Sequence, residues 1–235
     1  DASPREAASK ILTSDASAFA ERYDAAGSYL DALAKPVGSL GTLEEWSSRL
    51  AALQRTLTPN ADAVLCLIFA ADHGAAKSND EGGEGCSLYP QSVTRSVLVG
   101  LDRKVAGASV LAEVNGVDLR VVDVGVNGAS FDGTGAAAAV VVSSPDKLAG
   151  GTRNYCVEPA MTSEECARCM RLGRQYLVQY LEETSSRVVC LGEVGIGNTT
   201  SSSALIAALT MDDNNDDEEE TTTATTVESL CGGGA

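Results

Sequence analysis

Four short apolar runs, Ala63–Ala70, Val117–Val124, Ala136–Ser143 and Arg187–Gly192, are built mainly from Val, Leu and Ala and give way to Gly, Asp or Ser. Their length and near-continuous hydrophobicity are those of strands buried on both faces of a mainly parallel sheet. Stretches with helical spacing separate them. Leu43, Trp46, Leu50 and Leu53 share one helical face, and Cys166, Met170, Gly173 and Leu177 share another. Thr42 with Glu45 and Thr162 with Glu165 have the capping-box spacing, in which hydroxyl and carboxylate each satisfy an orphan backbone N–H. A further helix is expected over Arg103–Glu113, stopped at Asn115-Gly116. Alternation of this kind predicts an α/β fold, a doubly wound layer of helices on a parallel sheet. The side chains agree: 44% are hydrophobic but only 4% aromatic, so the core is filled by Ala, Val, Leu and Ile.

Residues 1–56 read as purely helical and form a small helical lobe, and residues 57–211 carry the α/β core. At Asp212 the composition changes abruptly. Residues 212–226 are Asp, Asn, Glu and Thr with a single alanine, the composition of a disordered acidic insertion or tail. Residues 227–235 end in Gly232-Gly233-Gly234-Ala235 and read as the start of a truncated glycine-rich segment.

The formal net charge is -16. Seven of the acids lie between Asp212 and Glu220, so the remainder is moderately acidic and has no cluster of Lys and Arg. Such a surface repels nucleic-acid backbone and anionic lipid, and neither is expected as a partner. No apolar run reaches transmembrane length. The seven cysteines are scattered, with Cys66 and Cys190 expected as small buried thiols, which suits a reducing compartment, the cytoplasm or an organelle. Cys166 and Cys169 form a C-x-x-C pair within helical sequence, and there is one histidine, His73, so no metal and no cofactor is expected.

Three segments have the composition of a binding site. Val188–Thr200 runs strand, glycine-rich turn, helix start, and its backbone N–H groups together with Asn198, Thr199 and Thr200 suit an anion. Glycines at 192, 195 and 197 match neither a P-loop nor G-x-G-x-x-G, which favours a single phosphate. A tight turn with a helix cap explains the same residues equally well. Asp72, His73 and Gly74 follow a strand, where open α/β sheets place ligands, although a lone His is more often structural. Ser87, Tyr89 and Gln91 combine a flat apolar face with hydrogen-bonding groups, which suits a planar heteroaromatic or a plain loop entering a helix.

Taken in order, Lys35-Pro36-Val37-Gly38-Ser39-Leu40-Gly41, Ala71-Asp72-His73-Gly74, Ser87-Leu88-Tyr89-Pro90-Gln91-Ser92-Val93-Thr94, Leu119–Gly125 and Gly192–Thr200 resemble the nicotinate-nucleotide:dimethylbenzimidazole phosphoribosyltransferases. The likeness runs from about Leu30 to Met211. It implies a Rossmann-like parallel sheet with a smaller helical lobe, a homodimer, and transfer of the ribose phosphate of nicotinate mononucleotide to 5,6-dimethylbenzimidazole, giving α-ribazole 5'-phosphate and nicotinate in cobalamin assembly. By this resemblance Ser87, Tyr89 and Gln91 line the benzimidazole pocket, and Glu193, Gly195, Gly197, Asn198 and Thr199 face the nucleotide. The family's general base is a glutamate in a C-terminal Gly-Glu-Gly-Thr-Gly-Ala-like motif, which this sequence does not contain. Glu193 is the only carboxylate within the glycine-rich motif and a weak substitute base. The alternative is an inactive fragment or ligand-binding homologue that retains the azole and nucleotide pockets.

Overall fold

A computed structural model describes residues 2–76, 85–131 and 140–210. The acidic stretch 212–226 and the segment 227–235 lie outside the described residues. The chain divides into two compact units, Asp1–Ala61 and Asp62–Ala235, a boundary slightly beyond the expected Thr56.

The first unit consists of α1 (Pro4–Thr13), α2 (Phe19–Asp31) and α3 (Thr42–Gln54). Its small core is Leu12, Ala26 and Ala51, with Leu57 packed against it. Two expectations for α3 are corrected. Its N-cap is Gly41, with no side-chain cap bond, because Thr42 is already the first helical residue. The face predicted to be buried is largely exposed: Leu43, Trp46 and Leu53 face outward, while Ser48, Ala51 and Ala52 are buried. Small side chains let α3 approach α2 closely, and the bulky stripe is left over. The Lys35–Gly41 segment is tied to α3 by Glu44, which accepts from Lys35 Nζ (2.8 Å) and from the Leu40 N–H (3.0 Å). The Lys35 ammonium and that N–H hold the Glu44 carboxyl below its ordinary range.

The second unit is the expected α/β layer. Strands β1 (Val64–Ala71), β2 (Asp118–Gly125), β3 (Val141–Ser143) and β4 (Val188–Val194) are all parallel, in the order β3-β2-β1-β4. Helices α4 (Ser92–Asp102) and α5 (Gly107–Val114) connect β1 to β2, α6 (Ser163–Thr184) connects β3 to β4, and α7 (Asn198–Thr210) follows β4. Alternation along β1 sorts the two layers. Ala70, with Cys66 and Ile68, packs with Leu98, Leu101 and Ala112 of α4 and α5, and Leu65 and Leu67 pack with Leu172, Tyr176 and Tyr180 of α6.

The helix expected from Arg103 begins at Gly107, because α4 ends in a tight turn: Lys104 has φ +58°, and the Val105 and Ala106 N–H groups both donate to the Gly100 carbonyl. The face predicted for α6 is met in part: Leu177 packs against the sheet-side core and Gly173 lies beside the Phe69 ring, but Cys166 and Met170 are exposed, and the buried residues are Leu172, Tyr176 and Tyr180, the two rings stacked 6.0 Å apart. Larger rings four residues apart cover more sheet than the thiol and thioether do. Thr162 caps α6 as expected, and its Glu165 partner is also gripped by Arg153 (2.6 Å). Those bonds, the Arg153 guanidinium foremost, draw the Glu165 carboxyl down to about 2. Cys190 is exposed and Cys66 half-buried, against the expectation of buried thiols.

One buried carboxylate fastens the ends of β2 and β3. Asp123 is fully buried; its Oδ1 accepts from the Gly125 and Val126 N–H groups (3.1 and 2.7 Å), its Oδ2 from Ser143 Oγ and Lys147 Nζ (2.6 and 2.9 Å). Removing one member of such a pair leaves an uncompensated buried charge. Asp123→Ala is expected to lower unfolding free energy by about 3–5 kcal/mol in urea titrations. Glu45→Gln, which breaks the exposed Arg49–Glu45 pair (2.8 Å), should change it by less than about 1 kcal/mol.

Candidate functional site

In an open parallel sheet, ligands bind beyond the carboxyl ends of the strands, where the strand order reverses. Here that place is the β1/β4 boundary, since β2 and β3 follow β1 on one side and β4 lies on the other. The segments Ala71–Gly74 and Val194–Gly197 meet there.

Asp72 and its neighbours knit three loops together. The Asp72 N–H donates to the Gly125 carbonyl (3.1 Å), its carbonyl accepts from Thr152 N–H (3.0 Å), and its Oδ2 accepts from Asn127 N–H (2.8 Å). Oδ1 is buried with no partner among the described residues. Glycine is required at the crossings. A Cβ on Gly151, whose φ is +79°, would stand 2.2 Å from the Asp72 carbonyl oxygen, and one on Gly74 2.3 Å from the Arg153 backbone carbon. A Cβ on Gly195 would fall 2.0 Å from the Ala71 oxygen and 3.0 Å from the His73 ring. Gly197, at φ +86°, packs against Ala76 and Cys86. The turn is further anchored by buried Thr94, whose Oγ1 accepts from Ile196 N–H (3.0 Å).

Beneath these loops, on the α6 side, lies a cavity of about 530 Å³. Phe69, Val124, Met161 and Leu205 form apolar walls, and His73, Glu193 and Ser201 supply polar groups. A hollow of about 600 Å³ along Thr162–Arg171 is larger but is lined by one helix and reaches no strand end. Burial lowers the His73 imidazole below its ordinary 6.5, and the nearby Glu193 and Asp72 only partly offset this. Its ring is neutral at physiological pH. Glu193 Oε1 accepts from Asn198 Nδ2 (2.7 Å), while Asn198 Oδ1 accepts from Thr199 N–H (2.8 Å), so Asn198 joins the carboxylate to the first turn of α7. Ser201 Oγ is buried with no partner among the described residues. No Lys or Arg is among the residues lining this cavity. An apolar chamber with a few polar groups suits a flat, uncharged ring with hydrogen-bonding atoms.

Of the residues singled out in the sequence, His73 and Glu193 line this chamber and Gly195 closes against His73. Ser87, Tyr89 and Gln91 do not line it. Gln91 Nε2 instead donates to the His73 carbonyl (2.7 Å), Ser87 Oγ accepts from Tyr89 N–H (3.1 Å), and Tyr89 is exposed. Met161 and Ser201 also line the chamber and carry no signal of their own in the sequence. Met161 and Thr152 belong to a loop whose signal was the Gly150-Gly151 pair, which marks a close backbone approach. No group of three metal-ligating side chains occurs among the described residues.

A crevice at the switch point of a parallel sheet, closed by glycine-rich loops, marks the chain as an α/β protein of the open-sheet class, in which small molecules bind at the strand ends. A family model described as a phosphoribosyltransferase matches residues 17–228, and the chain belongs to that family. It is 38% identical over 195 residues to a nicotinate-nucleotide–dimethylbenzimidazole phosphoribosyltransferase of Geobacter sulfurreducens, a match covering 83% of this chain and 50% of that protein. A relative of the same name from Dechloromonas aromatica is 39% identical over 170 residues, 72% of this chain and 45% of its own length. The crystal structure of CobT from Thermus thermophilus superposes with a TM-score of 0.69 at 32% identity, covering 90% of this chain and 60% of that one. The chain therefore spans about half the length of the curated relatives it matches. No helix among the described residues is long and apolar enough to cross a membrane.

Two tests follow from the site. Gly195→Ala forces the turn away from Ala71 and should cost about 1–3 kcal/mol or more, whereas Gly107→Ala, with nothing within 4 Å, should not destabilise. Because folding favours the neutral form of His73, its contribution to stability is full above 6.5 and is lost as pH falls below that value. NMR titration of the His73 ring should give a midpoint below 6.5 that rises on His73 exposure in urea; a midpoint above 6.5 in the folded protein would contradict the burial.

Proposed function

We propose that this chain takes part in transfer of the phosphoribosyl group of nicotinate mononucleotide to 5,6-dimethylbenzimidazole, giving α-ribazole 5'-phosphate and nicotinate. The observation that carries the reading is convergence. Four segments of the family-like sequence, around His73, Gln91, Asp123–Gly125 and Gly192–Thr200, are joined by hydrogen bonds or close packing at one end of one sheet. In the reaction an azole nitrogen attacks the anomeric carbon as the bond to nicotinate breaks, and the second azole nitrogen gives up its proton. Nothing need be supplied but position, a dry environment and a base.

The apolar chamber supports an azole better than nicotinate. Its one formal charge is Glu193, and a pyridine carboxylate there would meet a like charge with no cation in the lining. Ser87, Tyr89 and Gln91 are assigned to the azole side, Gln91 acting through the His73 carbonyl it holds. Gly195, Gly197, Asn198 and Thr199 are assigned to the nucleotide. Glu193, fixed by Asn198, orients a ribose hydroxyl or the azole, and the proton goes to a base supplied by the portion of the family's polypeptide that this chain does not match. A homodimer in a reducing compartment completes the proposal.

Single-turnover assays of nicotinate release test it. The chain alone should be slower than a full-length relative by roughly 100- to 10,000-fold, the usual worth of a general base, and Glu193→Gln should alter substrate binding without abolishing the residual rate. Full-rate turnover by the chain alone, lost in Glu193→Gln, would make Glu193 the base. Absence of any binding of either substrate would remove the reading.

A further inference from the structure

Along the sequence the basic residues are scattered, but α6 aligns three of them. Arg168, Arg171 and Arg174 recur every third residue, so in a helix they form one row along its side. The row is turned away from the sheet, which is met by Leu172, Tyr176 and Tyr180, and Arg171 and Arg174 are exposed. Like charges one turn apart repel, and carboxylates three or four residues away ordinarily offset them. Those positions hold Ala167, Arg168, Arg174 and Gln175 around Arg171, and Met170, Arg171, Leu177 and Val178 around Arg174. Arg168 has Glu164 and Glu165 before it, but Glu165 is already gripped by Arg153.

Other cations of the same unit are matched to acids. Lys104, Arg120, Lys147 and Arg153 each pair with a carboxylate. Arg168, Arg171 and Arg174 make no ion pair or hydrogen bond with a described residue, and Arg168 Nε is buried without a partner among the described residues. Beside them lies the hollow of about 600 Å³, with Glu164, Ala167, Arg168 and Arg171 in its lining. A row of guanidinium groups suits anions spaced along a polymer, since each group takes a carboxylate through paired N–H donors.

We propose that this row is the docking surface of the chain's own acidic segment, Asp212–Glu220, which lies across Arg168, Arg171 and Arg174 and covers the hollow beside them. Charge complementarity selects the occupant. The segment is seven carboxylates and two asparagines, so it has nothing apolar to bury and associates by charge alone. Reach permits it. α6 and α7 both start at the carboxyl ends of the strands, and Met161, just before α6, and Leu205 of α7 line one chamber. At about 1.5 Å per residue, Thr210 lies roughly 18 Å along α7 and Arg174 roughly 16 Å along α6, so the segment starts near the level of the row. Its residues span about 30 Å when extended, enough to follow the row back towards Arg168. Surface ion pairs are individually weak, but the tether keeps the local concentration of carboxylates high, and salt releases them.

The test uses the full 235-residue chain. Arg171→Lys and Arg174→Lys keep the charge and introduce amines, which a zero-length carbodiimide joins to adjacent carboxylates. Mass spectrometry of the digest should find these amines linked to Asp212–Glu220 at least about fivefold more often than the exposed Lys104, with a yield that is independent of protein concentration and falls in high salt. Arg171→Gln combined with Arg174→Gln, both at exposed positions, should leave the melting temperature unchanged and speed cleavage of the segment by a glutamyl endopeptidase at least about threefold. The proposal is overturned if links from the row are no more frequent than links from Lys104, or if neutralising the row leaves cleavage unchanged. It is equally overturned if the yield rises with protein concentration, which would make the contact one between two copies. No residue of the strand-end chamber is altered, so these outcomes are independent of the phosphoribosyl reading.

Discussion

Loops from three strand ends cross so closely that their backbones leave no room for a side chain, and the site exists because glycine stands at each crossing. Gly151 lies against the Asp72 carbonyl, Gly74 against the Arg153–Asn154 peptide, and Gly195 against the Ala71 carbonyl and the His73 ring. These approaches bring a loop from β3 over the end of β1 and the turn after β4 beside it. With the loops locked, His73 has one available position, its carbonyl pinned by Gln91 and its ring lowered in basicity by burial. Asp123 completes the frame from the other side, holding the β2 and β3 ends through two backbone amides, a hydroxyl and Lys147. The chamber under this frame is therefore shaped by backbone more than by side-chain choice, and its polar groups are few and fixed.

The sheet was legible because buried parallel strands announce themselves as short apolar runs; three of the four match their expected spans closely, and the third in chain order is described only over Val141–Ser143, since 136–139 lie outside the described residues. Helix existence was legible for the same reason, but helix orientation was not. On α3 and α6 the longest apolar stripe was taken for the buried one. In α3 burial went to Ala51, Ala52 and Ser48, and in α6 to Tyr176 and Tyr180, because interhelical distance and ring area decided the contact. Of the candidate site, the segments that end strands could be placed from sequence, His73 and Glu193 among them. Ser201 and Met161 could not, since a serine in a run of three and a methionine before a helix carry no local signal until tertiary packing brings them to one chamber. Gln91 illustrates the converse: its position near the site followed from its motif, but its partner, a backbone carbonyl eighteen residues away, did not.

The same misreadings point outward. Side chains that sequence patterning expects to be buried and that the fold leaves exposed are concentrated on β4, α7 and the outer face of α3: Cys190, Leu191, Leu209, Trp46 and Leu53 among them. Single exposed apolar residues are ordinary on soluble proteins, but an uncovered strand and an uncovered crossover helix in succession are not. The chain spans about half the length of the curated relatives it matches.

Charge narrows what the chamber takes. A phosphate monoester brings about -1.5 to -2 charges and needs donors or cations to hold it. The strand-end chamber has one formal charge, the Glu193 carboxylate, and no Lys or Arg in its lining. The glycine-rich turn before α7 looked suited to an anion, yet its first two helical N–H groups are taken, that of Asn198 by the Gly195 carbonyl and that of Thr199 by Asn198 Oδ1, and the Asn198 side-chain NH2 is spent on Glu193. A carboxylate tethered to the mouth of a helix opposes a second anion there by simple repulsion. A phosphate beside the Glu193 carboxylate would need a counter-charge, and none of the residues lining the chamber supplies one. The chamber is thus suited to an uncharged ring, held by its few polar groups and not by charge.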